Sequence, residues 1–189
     1  TYSDAARAKI RRACRSPRAE IHFLSGGTQT NRIVISSLLH PYEGVIAADT
    51  GHITVHEAGA IECGDHKVLA LPHADGKLTA RAIESCLRTY HEDANRDHMV
   101  RSGMVYLSHP TEYGTLYTMD ELEVISAICR ASPAPCPSRE LLSACGAQCS
   151  KEHKNPYTSP WCAGFCDKDF HFIHFHGRES TSSARITAG

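Results

Sequence analysis

Residues 23–52 read FLSGGTQTNRIVISSLLHPYEGVIAADTGH, and this stretch decides the fold. Short runs at 20–25 (EIHFLS) and 44–49 (GVIAAD) have the apolar and β-branched content of strands. Between them, residues 28–39 follow a helical pattern that opens just after Ser25-Gly26-Gly27. Strand, glycine turn, helix and strand are the start of a βαβ alternation. It predicts an α/β fold with a mainly parallel sheet flanked by helices.

The alternation continues outward from this stretch. HKVLALP (66–72) and GMVYLSH (103–109) read as strands, and 53–63, 79–91 and 119–131 as helices. Thr79 is placed to start the third of these expected helices after the glycine turn. Thr118 and Glu121 have the spacing of a capping box, in which each residue's side chain satisfies the other's backbone N–H. Leu122, Ile125 and Ile128 then share one face. After Ala131 the texture changes to Pro, Ser, Cys and His, with a helical stripe only in RELLSAC and a strand-like alternation only in FHFIHF. We place a boundary at 131–133, so that 1–131 form one α/β segment and 132–189 an irregular, unassigned tail.

At 189 residues the chain is long enough to bury a real core. Its 20 Lys and Arg against 21 Asp and Glu leave a net charge close to zero, with no block of like charge, so neither nucleic acid nor an anionic membrane is expected as a partner. No apolar run approaches the roughly 20 residues of a membrane span, and TYSDAARAKIRR has no signal-peptide centre. The expectation is a soluble, cytoplasmic protein whose natural start, lacking Met here, lies upstream. Of nine cysteines, Cys14, Cys63 and Cys86 stand apart and read as buried free thiols, while five crowd between 136 and 166.

A glycine turn between strand and helix presents free backbone N–H groups at a helix N-terminus, where an anion such as phosphate can approach. Such a turn is also the commonest way merely to connect the two elements. His52, His56 and Glu57 follow the next strand directly, at the end of a parallel sheet where ligands bind. A histidine there is equally a surface or capping residue.

The segments HFLSGGTQTN, VIAADTGHITVHEAGAIECGDHKVLALPHADGKLT and MVYLSHPTEYGTLYTMDELEVISAICR, in this order, resemble the N-terminal half of the threonine-aldolase and β-eliminating lyase family, from about Tyr2 to Ala131. These are pyridoxal-phosphate enzymes of the aspartate-aminotransferase fold, fold type I. The resemblance implies that Gly27, Thr28 and Gln29 cradle the cofactor phosphate, that His52 stacks on its ring, and that Glu57 is an acidic group beside it. Thr111 would lie in the loop next to the cofactor, and Tyr2, in a YSD resembling the family's YGxD, near a neighbouring subunit's site. The implied reaction is retro-aldol cleavage of a β-hydroxy amino acid, a small-molecule substrate, to glycine and an aldehyde. Complete family members form homo-oligomers.

Three parts of that chemistry are not visible. The family's DGAR segment, with its aspartate and arginine, is absent, and ASPAPCPSRELL stands in its place. Of lysines 9, 67, 77, 151, 154 and 168, only Lys151 follows a serine in the later chain, and it lacks the small neighbours of the family's cofactor lysine. The expectation is therefore an incomplete or inactive enzyme whose tail resembles the product of a shifted reading frame. An alternative remains open: a non-catalytic α/β module whose Cys145, Cys149, Cys162 and Cys166, followed by His171, His174 and His176, bind zinc or a partner.

Overall fold

A computed structural model describes residues 1–13, 17 and 21–131, and the backbone of strands at 140–146, 163–167 and 170–174. Strands β1 (Phe23–Leu24), β2 (Glu43–Ala48), β3 (Val68–Leu71), β4 (Arg101–His109), β5 (Glu140–Gly146), β6 (Ala163–Asp167) and β7 (Phe170–His174) form one sheet in the order β1-β7-β6-β5-β4-β2-β3. The run β3-β2-β4-β5-β6 is parallel throughout. β7 runs antiparallel to both β6 and β1, which turns β1 back into the common direction. The mainly parallel sheet expected from the sequence is present.

Helices α1 (Tyr2–Ala13), α2 (Gly27–Leu38), α3 (His52–Val55), α4 (Ala80–Glu92) and α5 (Met119–Ala131) accompany it. Every residue of β2 is buried, as expected of a parallel strand covered on both faces. Period-two alternation divides the core. Val45 and Ala47 join Met104 and Tyr106 beneath Val34 and Ile35 of α2, with Ile53 and Ile61. Ile46 and Ala48 join Val105 and Leu107 beneath Ile83 of α4 and Ile125 of α5. Thus α2 and the segment after β2 share one face of the sheet, and α4 and α5 share the other.

The caps form as the sequence predicts. Ala82 N–H donates to Thr79 Oγ1, and Thr118 and Glu121 exchange bonds of 2.7 and 3.2 Å. At the N-terminal ends of β2 and β4 the buried Glu43 carboxylate accepts from the Arg101 guanidinium and from His40 N–H, tying the two strands at the edge away from the glycine turn.

Four local expectations change, and the simplest is that Cys63, read as a buried thiol, is exposed. The helix expected over 53–63 is a single turn, because Ala58 (φ 51°) and Gly59 (φ 72°) take left-handed backbone that ends it. RELLSAC, read as helical, contributes to β5, whose backbone pairs with β4 from Met104↔Glu140 to His109↔Cys145. Its apolar pattern fits either period, and pairing with a formed strand decides. Helix α1 was not anticipated. Lys151 and the complete Cys and His set of the zinc reading lie outside the residues whose side chains are described. Among the described residues no cluster could hold a metal ion, and no helix is long and apolar enough to cross a membrane.

Candidate active site

The parallel strands bring their C-terminal ends to one edge, where the starts of α2 and α3 and the loop after β4 meet. α2 begins at Gly27 with Gly26 in extended backbone and no side-chain cap. Its first internal bond is Thr30 N–H to Gly26 O (3.0 Å), so the N–H groups of Gly27, Thr28 and Gln29 precede the helical ladder. A Cβ placed on Gly26 would meet no atom within 4 Å, which leaves the approach to these donors open. The Gln29 side chain folds back to accept from Ser25 N–H (3.1 Å) and Oγ–H (2.8 Å), fixing the turn.

Asn31 lies one turn further along α2. It follows Gly27 by four residues, so both occupy one helical face, about 6 Å apart along the axis. Its Nδ2 donates to Glu57 Oε1 at 2.7 Å and lies 3.4 Å from the Tyr106 hydroxyl. The Glu57 side chain is fully buried, and its Oε1 lies 3.7 Å from His52 Nε2. Burial, and after it the Glu57 charge, raises the Tyr106 hydroxyl far above its ordinary range, so it stays protonated.

His52 opens α3 and is half-exposed. Its backbone N–H donates to Ser108 Oγ at 3.3 Å across to β4. Its Nδ1 lies 3.3 Å from Glu112 Oε1, and Glu112 Oε2 lies 3.7 Å from His56 Nε2. The two imidazoles are 5.4 Å apart, tilted by 41°.

Thr111 is buried in the same loop. Its hydroxyl donates to Thr115 Oγ1 (2.6 Å) and accepts from Tyr113 and Thr115 N–H, so it shapes its own turn. Thr115 Oγ1 in turn donates to Asp75 O at 2.6 Å.

Of the residues singled out from the sequence, His52 and Glu57 stand side by side. Gly27, Thr28 and Gln29 stand at the start of the helix that carries Asn31 to Glu57. Thr111 adjoins the residue that reaches His52. Tyr2 is almost wholly exposed on α1. Sequence reasoning missed Asn31, Tyr106, Ser108 and Glu112. The available signals were an asparagine four residues beyond Gly27 on an otherwise apolar face, and a tyrosine in phase with Met104 on β4.

At this edge, among the described residues, Thr30 Oγ1 on the first turn of α2, Thr50 Oγ1 just after β2 and Glu57 Oε2 are buried without a hydrogen-bond partner. All three belong to the segments that converge at this edge. Stranded polar atoms are costly; the open helix start suits an anionic group, and the Glu57 oxygen and the two hydroxyls suit a ligand that also brings hydrogen-bond donors.

A family model described as Beta-eliminating lyase matches residues 7–136. The low specificity L-threonine aldolases of a Pseudomonas species and of Pseudomonas aeruginosa are each 34% identical over 113 residues, which is 59% of this chain and 32% of each relative. The matched stretch thus spans about a third of the length of these curated relatives. Among solved structures, the threonine aldolase of Leishmania major is 36% identical with a TM-score of 0.72, over 88% of this chain and 50% of that one. A PLP-bound C–S lyase from Staphylococcus hominis, 8% identical with a TM-score of 0.59 over 83% of this chain and 41% of that one, shares the fold.

Proposed function

We propose that this chain, which belongs to the β-eliminating lyase family, holds pyridoxal phosphate where α2, α3 and the β4 loop meet, and that the site is built for retro-aldol cleavage of a β-hydroxy amino acid. The observation that carries the reading is the convergence, on one face and edge of the sheet, of an uncapped helix start, a half-exposed imidazole and the stranded polar atoms of Thr30, Thr50 and Glu57. When bound, the cofactor supplies an electron sink for the pair left on Cα as the Cα–Cβ bond breaks.

Gly27, Thr28 and Gln29 would donate their backbone N–H groups to the phosphate, with the positive end of the α2 dipole behind them. The exposed Thr28 hydroxyl is within the same turn and adds a donor. The His52 ring would lie flat against the cofactor's aromatic face, held from behind by its backbone bond to Ser108. Glu57, anchored by Asn31, sets the charge at the edge of that ring. Thr111 keeps the loop beside the site closed on itself.

Among the described residues the lysines are Lys9, Lys67 and Lys77, and none enters the site's contacts. Lys77 is committed to Glu121 at 2.8 and 2.9 Å, and Lys67 pairs by its carbonyl with β2 at the opposite edge. The expectation from the sequence, that this chain binds the cofactor without appreciable turnover, is part of the same proposal. Homo-oligomerisation belongs to the same proposal and is read by analytical ultracentrifugation.

Titration of the purified chain, followed by cofactor absorbance and tryptophan fluorescence, tests the reading. Saturable binding of pyridoxal phosphate is expected. Pyridoxal without the phosphate should bind about tenfold more weakly, since a helix N-terminus contributes up to about 2 kcal/mol to a bound anion. Equal affinity for the two would remove the phosphate site, and rapid release of glycine from threonine would overturn the claim of weak turnover.

A further inference from the structure

We propose that Glu112 is a positioning residue that fixes the orientation of the His52 ring and couples it to His56. The inference rests on the reading that His52 faces the cofactor, and it adds a residue to that site. One carboxylate serves two imidazoles, Oε1 at 3.3 Å from His52 Nδ1 and Oε2 at 3.7 Å from His56 Nε2. The opposite nitrogen of His52 faces Glu57 Oε1 at 3.7 Å. A carboxylate therefore stands at each ring nitrogen, and rotation about χ2 is restricted from both sides.

Without such restraint a histidine ring whose side chain is 44% exposed would sample the broad, two-fold torsional well of its type. A ring that must present a flat face to a ligand then loses that freedom on binding, and restraint beforehand removes the loss. Glu57 alone does not supply it, because its Oε1 is engaged by Asn31 at 2.7 Å and is the more distant of the two carboxylates. Glu112 is delivered by a turn closed by Gly114 N–H to Thr111 O (2.8 Å) and braced by Thr115 against Asp75. Its backbone is thus fixed independently of the histidines.

Half-exposed polar contacts of this kind contribute little to global stability, which separates positioning from a structural role. The test uses the full chain with labelled histidine rings, His52 and His56 signals being assigned through His52→Gln and His56→Gln. Glu112→Ala should melt within about 2 °C of the parent, as a near-neutral surface change does. It should move the ring signals of His52 and His56 and no other histidine, and weaken pyridoxal phosphate binding about tenfold. Glu112→Gln keeps an acceptor oxygen and should restore most of both effects.

Unmoved ring signals, or ring changes with no loss of affinity in a chain that binds the cofactor, would overturn the proposal. So would a large fall in melting temperature with changes at every histidine, or tighter binding in both variants, which would make Glu112 only a repulsive charge. If the parent chain binds no cofactor, the functional reading fails, and the ring signals by themselves decide whether Glu112 holds His52.

Discussion

Asn31 Nδ2 is the hydrogen bond that the buried Glu57 carboxylate has from the described side chains, and the group is fully removed from solvent. Replacing Asn31 with Ala strands the carboxylate, at an expected cost of about 1–3 kcal/mol. Thermal melting should fall by several degrees, and adding Glu57→Gln should recover part of the loss because the charge is then gone. Identical melting of parent and Asn31→Ala would show that the pair carries no stability. His109 poses a different question, one of pH. Burial, and then the Lys77 charge, lowers its pKa from 6.5, and its Nδ1 accepts Tyr117 N–H at 3.3 Å. A proton there cancels the acceptor. Since the folded value lies below the unfolded one, the unfolded chain takes up the proton first. The contribution is therefore complete above the unfolded value and is lost as pH falls through it toward the folded value. Between about pH 7.5 and pH 5.5 the parent should lose more melting temperature than His109→Gln, whose amide oxygen accepts without titrating.

At the scale of elements, the site depends on two loops pressed together at the C-terminal edge. The 72–78 loop meets the 109–117 loop through the Thr115–Asp75 bond and through Leu78 N–H to the Tyr117 hydroxyl (2.7 Å), and Lys77 ties it to Glu121 at the start of α5. Gly76 is the tightest point: its φ is +81°, and a Cβ there would come within 2.7 Å of Thr111 Oγ1 and of the Tyr113 ring. Gly76→Ala combines left-handed backbone strain, about 1–3 kcal/mol for a non-glycine residue, with a steric clash. It should lower stability and, by shifting the turn that carries Glu112, weaken cofactor binding. Unchanged affinity in a destabilised Gly76→Ala chain would mean that the loop contact supports the fold and not the site.

Over the whole molecule, β4 lies between β2 and β5, and its pairing with β5 runs from Met104 to His109. These are the residues whose far ends place Ser108 and the 109–117 loop. A chain cut after Ala131 would leave that side of β4 as a bare, apolar edge, the arrangement that templates association with other chains. Light scattering should show this fragment self-associating at concentrations where the full chain does not. A monomeric fragment with a sharp cooperative melt would contradict it.

Local patterns fixed what depends on near neighbours. The alternation of strands and helices through 20–131, the Thr79 and Thr118 caps and the glycine turn before α2 were all legible, because each is set by residues a few positions apart. The family likeness was legible for the same reason: it resides in the order of short segments. The end of α3 after Val55 was not read, although Gly59 was a signal for it; the left-handed backbone at Ala58 is one that an alanine does not announce. Nor was the strand at 140–146, whose ladder partner lies 36 residues earlier in the register Met104↔Glu140. Tertiary structure alone decided that Asn31, Glu57 and Tyr106 would meet, across sequence separations of 26 and 75 residues, and that Glu112 would stand between two histidines. Hydrogen bonds over such distances exist only once the sheet has set the spacing and direction of the elements that carry them.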